Sequence, residues 1–301
     1  MKIKDIFNKK KVPTEKDYYF GNYKISLSEQ HILDKYQEQF PLYDRFLPLL
    51  CSEFKGLIID IGANIGDTSI AIFSQNDDAF IVGVEPDEEF FNECVVNIEK
   101  NALSHRFLGV NRFVTTQTGS FVVKRSDSLS TGSIEKADSD ENSQNNNSVS
   151  FSQLMELVRE DKKRPFDMLK IDTDGFDWDI LKSFYDYAKE GSVVPDFIFF
   201  EMQTFLNNAE RDIEGRDAII AKYADALDKI NQLGYTEFCL FDNYGTLLKK
   251  TTSVEEIKEF NQYIKRSQIH NHHSTMYYLD VLAYKAPSGA YVDSILSKQY
   301  S

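Results

Sequence analysis

Glycines and carboxylates stand at a few places in this chain with types and spacing suited to chemistry. In IIDIGANIGDTS, residues 58–69, a short apolar run carrying Asp60 passes into Gly62, Ala63, Asn64, Ile65 and Gly66. Glycines there suit a loop that turns tightly and lets a ligand approach the backbone. Glu85 closes the next apolar run, Phe80 to Val84, where a carboxylate can accept both hydroxyls of a ribose. A pyrophosphate-binding loop would carry Gly-x-Gly-x-x-Gly. Here the spacing is Gly62 to Gly66 with Asp60 just before, and an acid at a strand tip repels a pyrophosphate but attracts an amino group.

A second set of acids follows later apolar runs. Asp172 and Asp174 come just after Phe166 to Ile171, and Glu201 ends Asp196 to Glu201. In an open wound sheet, ligands sit beyond the carboxyl ends of the strands, so these three carboxylates are expected to crowd one crevice. Such a group must be neutralised by protonation, by a basic partner such as Lys170, or by a cation. A divalent ion (Mg, Mn or Fe) held by Asp172, Asp174 and Glu201, with His272 or His273 from HNHHS, is one reading. HNHHS as a solvated polar loop is the other. Asp177 and Asp179 read as first-turn acids that offset a helix dipole, Trp178 as core, and His31 and His105 as isolated residues with no site role.

The elements that must position these groups alternate. Leu57 to Ile61 is a buried strand, followed by a helix from Gly66 to Phe73, then strand Phe80 to Glu85 and a helix opened by Pro86 and Asp87. Phe107 to Val123 alternates like strands joined at Thr118-Gly119-Ser120. Residues 138–148 (DSDENSQNNNS) contain no apolar side chain and read as an exposed loop. Ser150 caps a short helix to Val158. Strand, helix, strand and helix then recur over Phe166–Ile171, Asp177–Lys189, Asp196–Glu201 and about Arg211–Leu233. Tyr235–Phe241 and Met276–Tyr284 close the sheet, with a helix near Val254–Ile264 between them. This predicts an α/β fold with a doubly wound, mostly parallel sheet. An N-terminal, mainly helical cap (1–54), broken at Pro41 and Pro48, precedes a main domain (55–285) with a polar insertion (about 111–150). A C-terminal tail (286–301) follows.

The glycine-loop segment resembles the first motif of class I S-adenosylmethionine-dependent methyltransferases. By that resemblance Asp60, Gly62, Asn64 and Gly66 surround the amino-acid end of S-adenosylmethionine, and Glu85 holds its ribose. FDMLKIDTDGFDWDIL, residues 166–181, is similar to the KIDVEGAE…VL signature of FkbM-type methyltransferases, with EPDEEFFNECVVNIEKN before it. The similarity runs from about Leu57 to Tyr284, through Ser130-Thr131-Gly132-Ser133 and Phe199-Phe200-Glu201. Thr173-Asp174 replaces Val-Glu, keeping the charge on a side chain one methylene shorter. The resemblance implies methyl transfer to a hydroxyl of a small molecule, a sugar or polysaccharide precursor being favoured. Asp172, Asp174, His272 and His273 are then the candidates that activate the hydroxyl. A nicotinamide-dependent oxidoreductase and a non-catalytic binding module are the alternatives.

Composition narrows the partners. With 301 residues, 42% hydrophobic and 27% charged, the chain can bury a sizeable core. A net charge of −14 argues against a general nucleic-acid binder. MKIKDIFNKKK shows no apolar signal region and no run reaches the roughly 20 residues of a membrane span. Cys51, Cys94 and Cys239 are far apart and odd in number, hence expected reduced. A cytoplasmic protein is the expectation.

Overall fold

The computed structural model describes residues 15–28, 31–117, 119, 121–125, 132–136, 147–158, 164–203, 213–270 and 276–301. The chain opens on a hairpin, β1 (Glu15–Phe20) and β2 (Tyr23–Ser28), followed by α1 (Leu33–Gln39) and α2 (Phe46–Leu50). Next come β3 (Leu57–Ile61), α3 (Asp67–Phe73), β4 (Phe80–Val84), α4 (Glu88–Lys100) and β5 (Phe107–Val110). The insertion holds β6 (Phe113–Val114), β7 (Phe121–Arg125), β8 (Gly132–Lys136) and β9 (Ser148–Val149), and leads into α5 (Phe151–Leu157). The wound pattern resumes with β10 (Phe166–Ile171), α6 (Asp177–Lys189), β11 (Phe197–Gln203) and α7 (Ile213–Gln232). It closes with β12 (Glu237–Asp242), β13 (Leu247–Thr251), α8 (Val254–His270), β14 (Tyr278–Tyr284) and α9 (Gly289–Gln299).

The central sheet has the order β13-β12-β14-β11-β10-β3-β4-β5. The run from β11 to β5 is parallel, and β14 runs antiparallel to both β11 and β12. Strands buried on both faces read as continuous apolar runs, which is why Leu57 to Ile61 is buried at every position. On one face Ile59, Ile61, Leu169 and Ile171 pack against Phe151, Ile180, Tyr223 and Ile257 of the helices. On the other, Ile58 and Met168 meet Leu50, Ile70, Ile98 and Val292. The order reverses between β3 and β10, and an open α/β sheet has its ligand crevice at such a point. No helix among the described residues is long and apolar enough to cross a membrane.

Four expectations change. The mainly helical cap contains a hairpin, because EKDYYF and YKISLS flank the two-residue turn Gly21-Asn22 and bury Ile25 and Leu27 against the domain. Pro48 lies inside α2 rather than breaking it, within a first turn where its missing N–H is tolerated. The expected C-terminal tail is α9, held by buried Val292, Ile295 and Leu296 and by Tyr291 Oη donating to Leu50 O at 2.6 Å. The polar run also differs at its end. Asn147 brackets Phe121, accepting from its N–H at 3.0 Å and donating to its carbonyl at 2.9 Å, and Ser148 is buried in β9. Residues 138–146, Thr118, Ser120, Ser130 and Thr131 lie outside the described residues.

Candidate functional site

The loop after β3 is built by its glycines. Gly62 and Ala63 donate to Val84 O at 2.9 and 3.0 Å, so the loop leaves the sheet across the end of β4. Gly62 has φ 81°, and a Cβ there would stand 1.7 Å from Asp172 O. Gly66 has φ 85°, and its Cβ would press on Cys94 Sγ at 2.9 Å. Both positions combine a left-handed backbone with no room for a side chain.

Glu85 holds the far side of this loop. Its Oε2 accepts from Asn64 N at 2.9 Å and its Oε1 from Asp87 N at 2.8 Å. Asp87 in turn caps α4, accepting from the Glu89 and Phe90 amides. Burial pushes the Glu85 carboxyl up to about 7 despite those two bonds. Asp60 is placed differently from the expectation that it surrounds a ligand. It is fully buried, and its carboxylate accepts from Ser69 Oγ at 2.7 Å and pairs with Lys170 Nζ at 3.0 Å. It shapes the loop from beneath.

Lys170 explains that arrangement. In the parallel register of β10 and β3, Lys170 lies directly beside Asp60 on the same face. Its ammonium also reaches Asp172 Oδ2 at 3.3 Å and donates to Gly62 O at 3.1 Å. Burial alone would lower its pKa, but Asp60, Asp172 and Asp67 outweigh that and hold the ammonium above its ordinary value. One buried lysine therefore ties the glycine loop to the end of β10.

Beside the loop opens a cavity of about 470 Å³. Asp172, Asp174 and Glu201 all line it, as do Gly62, Asn64 and Lys170. Sequence reasoning missed the rest of its acidic wall, Asp44, Asp67 and Asp280, and the rings of Tyr43 and Tyr278. Asp280 had a readable signal, a lone charge inside an apolar strand, whereas Glu201 stood out by ending one. Asp44 had none, because only the turn between α1 and α2 carries it there. Burial, then neighbouring carboxylates, raises Asp44 to about 8; burial raises Asp67 to about 6 and Glu201 and Asp280 well above the carboxylate range. Asp44, Asn64 and Asp174 adopt left-handed backbones, φ 56°, 48° and 51°, and all three line the cavity. Strain of that kind gathers at functional sites.

Several expected roles are corrected. His31 is buried, lines the cavity and accepts from Leu33 N on Nδ1 at 3.3 Å, so it is not isolated from the site. Asp177 and Asp179 do stand in the first turn of α6, but as buried pins. Asp177 accepts from Thr173 N, Thr173 Oγ1 and Glu201 N, and Asp179 from Thr115 Oγ1, Thr116 N and Thr116 Oγ1. Among the described residues, no group of three or more His, Cys, Asp or Glu side chains is arranged to hold a metal ion. Of the carboxylates expected to form one, Asp172 pairs with Lys170. His270 ends α8, and His272 and His273 lie outside the described residues.

A glycine loop clasped by a buried acid at the reversal point of a wound sheet, with a cavity beside it, defines an α/β protein with a ligand crevice. Residues 60–237 match the Methyltransferase FkbM domain, more than half of the chain, and the chain belongs to that methyltransferase family. No curated protein matches it. Among solved structures it is similar to the O-methyltransferase from Bacillus cereus in complex with SAH, at 14% identity and TM-score 0.43, covering 80% of each chain. It is also similar to the O-methyltransferase TomG from Streptomyces achromogenes in complex with SAM, at 11% identity and TM-score 0.44, covering 87% of this chain and 92% of that one.

Proposed function

We propose that the protein is an S-adenosylmethionine-dependent O-methyltransferase acting on a hydroxyl of a small molecule, with a sugar or polysaccharide precursor as the favoured acceptor. The observation that carries this reading is the contact of Glu85 with Asn64 N across the Gly62–Gly66 loop, directly beside the cavity. Glu85 keeps acceptor capacity for ribose hydroxyls, because each carboxylate oxygen has a second lone pair. Asn64 and Gly62 supply backbone to the amino-acid end, with Asp60 supporting them through Lys170 and Ser69.

S-adenosylmethionine supplies a methyl group on a sulfonium. The protein's work is to place a hydroxyl oxygen in line with that methyl and to take its proton as the carbon–oxygen bond forms and the carbon–sulfur bond breaks. Asp172 and Asp174 line the cavity next to the loop and are the proposed bases, with His272 and His273 as further candidates for the same role. Lys170 takes the place of a cation beside Asp60 and Asp172.

Calorimetry with S-adenosylmethionine, S-adenosylhomocysteine and NAD tests the reading. The first two are expected to bind. Binding of NAD alone would replace the methyltransferase with a nicotinamide-dependent oxidoreductase, and cofactor binding with no methyl transfer to any hydroxyl acceptor would leave a binding module.

A further inference from the structure

Glu201 and Asp280 stand directly opposite each other across the antiparallel pair β11 and β14. Both line the cavity. Residues paired in this way share a face with Cβ atoms roughly 4.5–5.5 Å apart, and like charges there are destabilising. Neither carboxylate has an ion-pair partner among the described residues; Lys170, paired with Asp60 and Asp172, acts on Asp280 only from a distance. Glu201 is only 6% exposed, yet among the described residues its side chain accepts a single hydrogen bond, from Gln203 Nε2 at 3.2 Å. A buried acid with unused acceptor capacity, set beside another acid in a cavity wall, is unfavourable unless something positive or protonated meets it. Both groups are accordingly raised well above their ordinary pKa by burial and by the field of Asp172.

The pair is also remote from the glycine loop. β11 and β14 are two and three strands away from β3, about 10 and 14 Å at roughly 4.8 Å per strand. The charge of a methyl donor's amino-acid end, held at the loop, does not answer it. The surrounding walls indicate which cation does. Tyr43, Phe199, Phe241 and Tyr278 line the same cavity. Aromatic faces attract organic ammonium groups, whereas a hard divalent ion requires oxygen ligands throughout.

We propose that Glu201 and Asp280 together anchor a protonated aliphatic amine carried by the methyl acceptor, so that the substrate is an amino sugar or amino alcohol rather than a neutral or anionic one. The proposal rests on the methyltransferase reading and assigns the charge of its acceptor. An ammonium offers three N–H donors, enough to bridge two carboxylates that face each other across a strand pair.

The test is calorimetric titration of the full chain, loaded with S-adenosylhomocysteine, with glucosamine, 4-aminobutanol, glucose and N-acetylglucosamine. At least one of the two amines is expected to bind about tenfold or more tightly than either neutral sugar. Glu201→Gln and Asp280→Asn, made separately, are each expected to weaken amine binding roughly 10–150-fold. Each should leave S-adenosylhomocysteine affinity unchanged and make the unfolding temperature of the ligand-free chain less sensitive to rising pH, because one carboxyl that burial keeps protonated is removed. Equal affinity for glucose and glucosamine, amine binding unaffected in both variants, or no amine binding at all with S-adenosylhomocysteine bound, overturns the proposal. So does Mg²⁺ alone binding the wild type and failing to bind Asp280→Asn. Failure of S-adenosylhomocysteine itself to bind overturns the methyltransferase reading and the proposal with it.

Discussion

Asp60 and Glu85 are both buried acids at the ends of neighbouring strands, yet their surroundings give them different work. Glu85 accepts from the loop backbone, whereas Asp60 is spent on Ser69 and Lys170. Glu85→Ala is therefore expected to weaken S-adenosylmethionine binding roughly 10–150-fold, the worth of a charge-assisted contact, as read by calorimetry. Asp60→Asn is expected to act on stability first, since breaking a buried pair from one side costs about 3–5 kcal/mol, as read by denaturant unfolding. A stable Asp60 variant with only its cofactor affinity lost would restore Asp60 to direct contact. At the cavity, Asp172→Asn and Asp174→Asn test the base. The true one is expected to lose roughly 10²–10⁴ in turnover with S-adenosylhomocysteine affinity unchanged, and full turnover in both would pass the role to His272 or His273. The acids themselves were legible because each ends or interrupts an apolar run. Lys170 was legible as a basic partner for the later acids, but its pairing with Asp60 was not. Lys170 is far from Asp60 in sequence, and only the register of β10 against β3 decides that the two side chains meet.

At the scale of elements, the side chain of Asn97 ties the N-terminal hairpin to the glycine loop. Asn97, on α4 and fully buried, accepts from Ser26 N and donates to Ile65 O, each at 3.0 Å. Asn97→Ala would leave both backbone groups unmet, at about 1–3 kcal/mol. It is expected to lower both the unfolding temperature and the affinity for S-adenosylmethionine. Asn101 ties the hairpin at Lys24 but does not touch the loop, so Asn101→Ala should lower stability without the affinity loss. Equal affinity loss in both variants would mean that the hairpin acts by its bulk and not through Ile65. The wound core was readable because strands buried on both faces and helices with one apolar stripe write distinct patterns. The edges were not. The hairpin and α9 each bury only a few residues against surfaces assembled from distant segments, and Asn147 bonds a backbone 26 residues earlier. Deleting residues 138–146 should thus be tolerated, while extending the cut through Ser148 should lower the unfolding temperature.

Over the whole molecule, the buried acids set how stability responds to pH. In the folded chain Asp44 titrates at about 8, Asp67 at about 6, and Glu85 and Asp177 at about 7, all raised by burial. In the unfolded chain the same groups return to the ordinary carboxylate range near 4. Between those values the folded state binds more protons than the unfolded one, so stability is fully present below the unfolded pKa values and is lost as pH rises through about 6 to 8. Each proton retained contributes about 1.4 kcal/mol per pH unit across its window. His31 works in the opposite direction, since burial lowers its pKa, but it is one group against several. The ion pair of Lys16 with Asp34 holds that carboxyl below its ordinary value and so acts at lower pH, outside this window. The unfolding temperature of the ligand-free chain is therefore expected to fall between about pH 4 and about pH 8. Scanning calorimetry across that range checks it. A maximum near pH 8 would mean that the acids of the cavity wall are ionised and compensated in the free protein, so that Glu201 and Asp280 already have a compensating partner and need no acceptor amine.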